Sequence, residues 1–237
     1  MFDWLTPRRR RGVEYLDDPA IDPAVRARAM ADLARSNRYF GGTRAVIRAI
    51  ARLPMPPRGA RVLDVGTGSG DIAEALQRSA HRAGQPITVI GLDMSPSLLL
   101  AARQSVGAVV GGDALRLPIR DASVDMVVCS QLLHHFEAAD AERLVAELHR
   151  VSRGWIIVAD LRRSVLAVAG FWIAATALRF HRITRADGVT SVLRGFTSAE
   201  LSWIVRRGAG TAATVRRAAF WRLVATWPHE HRSGSNL

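Results

Sequence analysis

Apolar strand segments alternating with helical segments predict an α/β fold: a doubly wound, mostly parallel, seven-stranded sheet. Three observations carry that expectation. Val62-Leu63-Asp64-Val65 runs into Gly66-Thr67-Gly68-Ser69-Gly70 and then into the helical pattern Asp71-Ile72-Ala73-Glu74-Ala75-Leu76, a strand, a glycine turn and a helix. Val124 to Ser130 is apolar apart from one aspartate and rich in β-branched residues, as a buried parallel strand should be. Several further strand and helix patterns follow one another at spacings that fit crossover units.

At 237 residues, of which 49% are hydrophobic, the chain can bury one sizeable core. Cys129 is the single cysteine, which excludes an internal disulfide framework and fits a reducing, cytoplasmic setting. Met1 to Leu5 lacks a positive leader followed by an apolar run, in keeping with that location. The net charge is +12 and every basic side chain is arginine. Such a charge suits an anionic partner. Its one dense cluster, Arg8 to Arg11, reads either as a solvated terminus or as a peripheral contact with an anionic membrane.

Residues 1–59 read as an arm and a helical cap. Asp22-Pro23 is an N-cap followed by proline at the first helical position, and the helix it opens runs to about Leu33. A second helix covers about Thr43 to Arg52, after Gly41-Gly42. Residues 60–237 form the core. Its strands are expected at Arg61 to Val65, Ile87 to Leu92, Ala108 to Gly111, Val124 to Ser130 and Trp155 to Ala159, with helices at Asp71 to Arg82, Ser95 to Gln104 and Asp140 to Val151. An insertion at about 163–195 interrupts the rhythm. Its uncharged run, Ser164 to Leu178, is 15 residues long, short of the roughly 20 that span a bilayer, and reads as a buried or interfacial lid helix. Thr197 and Glu200 have capping-box spacing for the next helix. Two strands near Ala213 to Ala218 and Phe220 to Thr226 close the sheet as a hairpin, before a polar tail from Pro228 to Leu237.

A dinucleotide site places a pyrophosphate on the helix that follows the glycine turn. Here Asp64 and Asp71 bracket that turn and would repel phosphates, while they suit an amino group. Asp93, 23 residues after Gly70, stands where an acid accepts both ribose hydroxyls. Asp113, after Gly111-Gly112, and Ala114 stand where an adenine edge would lie. A phosphate-free nucleoside with an amino-acid tail fits all of these positions.

That series resembles the class I S-adenosylmethionine-dependent methyltransferases, in particular those acting on quinone- and polyketide-type small molecules. Val62 to Asp71, Gly91 to Ser95, Gly112-Asp113-Ala114 with Leu117-Pro118, and Val124 to Val128 resemble that family's successive motifs over about residues 60–160. The resemblance implies a Rossmann-like methyltransferase fold with S-adenosyl-L-methionine as cofactor. It implies that Gly66, Thr67, Gly68 and Gly70 hold the methionine part and that Asp93 holds the ribose. Met94 would pack on the adenine, Asp113 and Ala114 would bind its edge, and Ser130 would line the sulfonium end.

His134 and His135, just after the fourth strand, are the candidate catalytic bases for a hydroxyl acceptor. Tyr39, Phe40 and His181 are candidates to close the pocket, while Asp121 and Asp125 read as loop and turn residues. No metal ligand set is expected. Ser130-Gln131-Leu132-Leu133 lacks the tetrad of an amino-group nucleic-acid methylase, and Cys129 lies within an apolar strand, so the expected acceptor is a small molecule and not a nucleic acid. Phe171, Trp172 and Ile173 in the lid suggest that it is hydrophobic. O-methylation of a phenolic or quinol-like polyketide or lipid is the leading expectation. C-methylation of a quinone precursor and a non-catalytic cofactor-binding protein are the alternatives.

Overall fold

The structure, a computed structural model, describes residues 6–10, 12–18, 20–54 and 59–229. Arg11 and residues 230–237 of the expected tail lie outside the described residues. In chain order the elements are α1 (Pro23–Tyr39), α2 (Gly42–Ile50), β1 (Arg61–Val65), α3 (Asp71–Arg82), β2 (Thr88–Asp93), α4 (Pro96–Val106), β3 (Ala108–Gly111) and β4 (Val124–Ser130). They continue with α5 (Ala138–Val151), β5 (Ser152–Leu161), α6 (Val165–Ala177), α7 (Arg182–Arg194), α8 (Ser198–Ala209), β6 (Thr214–Ala218) and β7 (Arg222–Pro228).

The seven strands form one sheet in the order β3-β2-β1-β4-β5-β7-β6. β1 to β5 pair in parallel, and β7 is antiparallel to both β5 and β6. Side chains in β4 alternate between two cores, as a strand buried on both faces requires. Val127 and Cys129 join Leu144 and Leu148 of α5 and Leu201 and Ile204 of α8. Met126 and Val128 join Val46 of α2, Ile72 and Leu76 of α3, and Ala102 of α4. All parallel strands therefore point their C-terminal ends to one edge, where the order reverses between β1 and β4.

Two elements differ from the sequence expectation. α1 continues to Tyr39 rather than about Leu33, because its last two turns bury the polar residues Asp32, Ser36 and Asn37. Asp32 accepts hydrogen bonds from His181 N (2.7 Å) and Thr184 Oγ1 (3.3 Å), so that face packs through polar groups and shows no apolar period. The lid is two helices, not one. Arg179 adopts φ +54° after α6, and the His181 ring accepts a hydrogen bond from Ile183 N at 3.4 Å to cap α7. Thr197 and Glu200 do form the expected capping box at α8. No described helix is long and apolar enough to cross a membrane.

Candidate functional site

At the strand ends, the glycine turn is tied to the neighbouring strand. Gly66 N and Thr67 N both donate to Leu92 O, at 2.8 and 2.9 Å. Gly66 has φ +74°, and a Cβ there would lie 2.9 Å from Leu132 Cδ2. Gly70 has φ +84°, and its Cβ would meet Val106 and Ser105 at under 3 Å. Both positions therefore exclude a side chain on backbone and space together. Met30 of α1 reaches to within 3.5 Å of where a Gly68 Cβ would stand, so the N-terminal helix overhangs the turn.

Carboxylates organise the same edge. Asp93 accepts from Gly68 N (3.0 Å) through one oxygen and from Ser95 N (2.9 Å) through the other, clamping two loops. Asp64 is buried and accepts from Thr67 Oγ1 at 2.8 Å. Burial pushes its carboxyl up to about 7, against the Thr67 hydrogen bond, with Asp71 and Asp93 adding repulsion. Burial also raises Asp71, whose Oδ2 accepts from Asn37 Nδ2 at 3.0 Å. Asp113 is exposed and turns the chain by accepting from Leu115 N at 2.8 Å. Ala114 is half-buried, and Met94 is 77% exposed, an open apolar platform rather than core. Ser130 Oγ is buried without a hydrogen-bond partner among the described residues. An amino group and vicinal hydroxyls would find acceptors along this rim, whereas phosphates would meet like charge.

Beyond β4 the chain turns sharply at Gln131 (φ +55°), packs Leu132 against Gly66, and makes one 3-10 turn over Leu133–His135. That turn carries His134 into the wall of a largely apolar cavity of about 320 Å3. Leu33 and Ser36 of α1, Phe40 just after it, Phe171 of α6, Val192 of α7 and Trp221 are among its other walls. Asn37 links the two regions: its amide donates to Asp71, and its oxygen accepts from Gln131, itself a cavity residue.

His134 is almost fully buried and held from both sides. Asp160, at the end of β5, lies 2.7 Å from Nδ1 through one oxygen and accepts from His134 N at 3.1 Å through the other. In the neutral ring this contact favours the proton on Nδ1. Nε2 has no hydrogen-bond partner among the described residues and lies 3.7 Å from Glu14 Oε1. Burial would lower the imidazole pKa, but the Asp160 contact and the Glu14 charge outweigh it and push it up to about 9. Asp160 is held below the usual carboxylate range despite burial, by His134 and by the backbone N–H groups of Leu161 and His134. Glu14 is also lowered despite burial, through His134, His135 and Ser191.

Arg194 completes the cluster. Its Nη1 lies 3.3 Å from Glu14 Oε1, and its other nitrogens donate to His134 O (3.2 Å) and His135 O (2.6 Å). Glu14, His134 and His135 present ligand atoms within 4.8 Å of one another, close enough to surround a cation. The guanidinium already supplies positive charge at Glu14, so the arrangement suits a proton better than a metal ion.

The structure thus brings His134 and His135 to the cavity and keeps the Asp64, Gly66, Thr67, Gly68, Gly70 and Asp93 group together beside it. Phe40 lines the cavity, but Tyr39 points to solvent (53% exposed), and His181 serves as a helix cap outside the cavity wall. Phe171 faces inward, while Trp172 and Ile173 face solvent, so only one of the three lid residues shapes the pocket. Arg9 is no solvated arm residue. It donates to Arg194 O (2.7 Å) and Phe136 O (3.0 Å) and stacks over the Phe196 ring. Asp121 and Asp125 pair with Arg150 and Arg153, away from the site. Sequence reasoning does not reach Glu14, Asp160 and Arg194. Of these only Asp160, an acid ending an apolar strand as Asp93 does, carried a usable signal.

Residues 63–158 match the family described as a methyltransferase domain. The demethylmenaquinone methyltransferase of Deinococcus radiodurans is 38% identical over 126 residues, which is 51% of this chain and 50% of the relative. The ubiquinone biosynthesis O-methyltransferase of Thiobacillus denitrificans is 32% identical over 128 residues, 48% of this chain and 52% of the relative. The chain thus matches about half the length of these curated relatives. Among solved structures, a SAM-dependent methyltransferase from Aquifex aeolicus superposes with a TM-score of 0.60 at 17% identity, covering 87% of this chain and 97% of that one. The sheet and its helices therefore have the Rossmann-like methyltransferase fold.

Proposed function

We propose that this chain, built on that methyltransferase domain, transfers a methyl group from S-adenosyl-L-methionine to a hydroxyl of an apolar phenolic or quinol-like small molecule. One observation carries the reading. The five residues Gln131 to His135 join the two half-sites, with Leu132 against the glycine turn and His134 in the apolar cavity. S-adenosylmethionine, when bound, supplies a methyl already activated on its sulfonium.

The protein's task is then alignment, dryness and proton management. Asp93 and the turn Gly66 to Gly70 fix the donor, with Met94, Asp113 and Ala114 around the nucleoside and Ser130 at the sulfonium end. The walls from α1, α6 and α7 hold the acceptor and exclude water. In its neutral form His134 accepts the hydroxyl proton at Nε2, while Asp160 keeps Nδ1 protonated and stabilises the resulting imidazolium. His135, half-buried beside it, contributes to the cavity wall. Names borne by the relatives, for demethylmenaquinone and for ubiquinone biosynthesis, support a quinone-type acceptor. A pKa of about 9 keeps His134 protonated at neutral pH, which favours a second reading, methylation at carbon of a quinone precursor with no histidine base.

Titration calorimetry with S-adenosylhomocysteine tests the donor assignment directly. Binding is the expected result. A folded sample that binds none would overturn the proposal, including both acceptor readings.

A further inference from the structure

The outer face of α6 is apolar and faces water. Val165, Leu166, Ala169, Trp172, Ile173 and Thr176 are all exposed, at the three- and four-residue spacing that puts them in one stripe. Trp172 and Ile173 are 54% and 63% exposed. The opposite face is also apolar: Ala167 and Ala175 are buried, Phe171 packs on Gly188, and Gly170 sits on Trp221. No charged side chain occurs in the 13 residues of the helix. A helix apolar all round is normally covered on every side, and an exposed stripe of this kind marks a contact surface. At about 1.5 Å per residue the helix is too short to cross a hydrocarbon layer of about 30 Å, and suits lying within its surface.

Charge identifies the cover. Arg162, Arg179, Arg182 and Arg185 flank the stripe, and the one carboxylate between residues 161 and 195, Asp187, is buried. From Phe171 the aromatic contacts continue to Phe40 (5.9 Å) and on to Phe220 (6.4 Å). Phe220 forms part of a second groove, of about 370 Å3, between α2 and the β6–β7 hairpin. Arg44, Arg48, Arg52, Arg216 and Arg217 line that groove, with no acid among its lining residues.

We propose that the outer stripe of α6, its flanking arginines and the arginine groove of α2 dock this protein in the plane of an anionic phospholipid bilayer. Tryptophan and isoleucine enter the acyl boundary while the arginines meet the headgroup phosphates. A second copy of this chain is a poorer cover, because a two-fold contact through the stripe would set arginines against arginines. Nucleic acid would satisfy the arginines and leave Trp172 and Ile173 in water. The docking surface does not depend on the donor assignment.

Cosedimentation of the full chain tests it, with vesicles of phosphatidylcholine alone and with one third phosphatidylglycerol. The expected result is partitioning at least about tenfold stronger on the anionic vesicles and weakened by added salt. W172S/I173S should lose at least about tenfold of that partitioning, with circular dichroism and S-adenosylhomocysteine binding unchanged. R44Q/R48Q/R52Q should lose several-fold on anionic vesicles only. Equal partitioning on both vesicle types, or binding indifferent to W172S/I173S, would overturn the proposal. So would a lipid-free dimer that W172S/I173S converts to monomer, which assigns the stripe to a second copy. Preference for duplex DNA over anionic vesicles would overturn it as well.

Discussion

The donor-side rim is assembled from neighbours, whereas the acceptor-side cluster is assembled from strangers. Asp93 holds Gly68 across adjacent strand ends and Ser95 two residues on, and Asp64 holds Thr67 within its own turn. Across the same edge, Glu14 meets Arg194 at a separation of 180 residues and Ser191 at 177. The donor rim needs only the sheet to exist. The acceptor cluster needs the N-terminal segment, the 3-10 turn, β5 and the end of α7 docked together. The first should tolerate a change of substrate between related chains, and the second is where substrate choice can be written.

Removing the histidine is the strongest way to break that division. His134→Ala is expected to lower turnover by about 10²–10⁴-fold on a phenolic acceptor, the usual contribution of a positioned base. S-adenosylhomocysteine affinity should stay within about twofold, because His134 belongs to the other half of the site. A loss of donor affinity as large as the loss of rate would mean that the halves are not separable. A turnover loss below about tenfold would favour methylation at carbon.

The donor half gives the reciprocal tests. Asp93→Ala removes the expected ribose acceptor and frees Gly68 N and Ser95 N together. Binding of S-adenosylhomocysteine should weaken at least about tenfold, or about 1.4 kcal/mol, by calorimetry. An unchanged affinity would refute the ribose role. Gly66→Ala acts on the fold rather than the ligand. It puts a side chain at φ +74° and 2.9 Å from Leu132, so urea denaturation should show a loss of about 1–3 kcal/mol. Because Leu132 leads into His134, this variant should also disturb the acceptor side.

The same contrast explains what could be read from the chain. Val62 to Asp71 carries its meaning locally, since strand period, turn glycines and helix start all lie within ten residues. Thr197 with Glu200 likewise marks its own cap within four residues. Apolar periodicity ends α1 near Leu33 because the buried face beyond it is polar, packing through Asp32, Ser36 and Asn37. Trp172 and Ile173 face solvent and not the pocket, because composition tells that a helix is apolar, not which face turns inward. Nothing around Glu14 in the sequence distinguishes it from a solvated acid. Its role exists only once Ser191 and Arg194 are folded against it.

Glu14→Gln gives the smallest expected effect and sharpens the comparison most finely. Asp160 lies 2.7 Å from His134 Nδ1, and Glu14 lies 3.7 Å from Nε2 with Arg194 also against it, so Glu14 is the weaker of the two supports. The folded-state pKa of His134 is about 9, above its ordinary 6.5, and the base form prevails only above that value. For O-methylation the rate should therefore climb through neutral pH and level off near 9. Removing the Glu14 charge lowers the imidazole pKa, so the rising limb should move to lower pH and neutral-pH turnover should rise or hold. Stability must move the other way. A raised histidine pKa contributes stability below about 6.5 and loses it as pH climbs through about 9, so Glu14→Gln should destabilise the fold at acid pH and less so at alkaline pH. Rate profiles between about pH 6 and 10, with urea midpoints at the two ends, read both signs. A profile that does not move would place Glu14 outside the electrostatics of His134 and return it to a purely structural contact with Ser191 and Arg194.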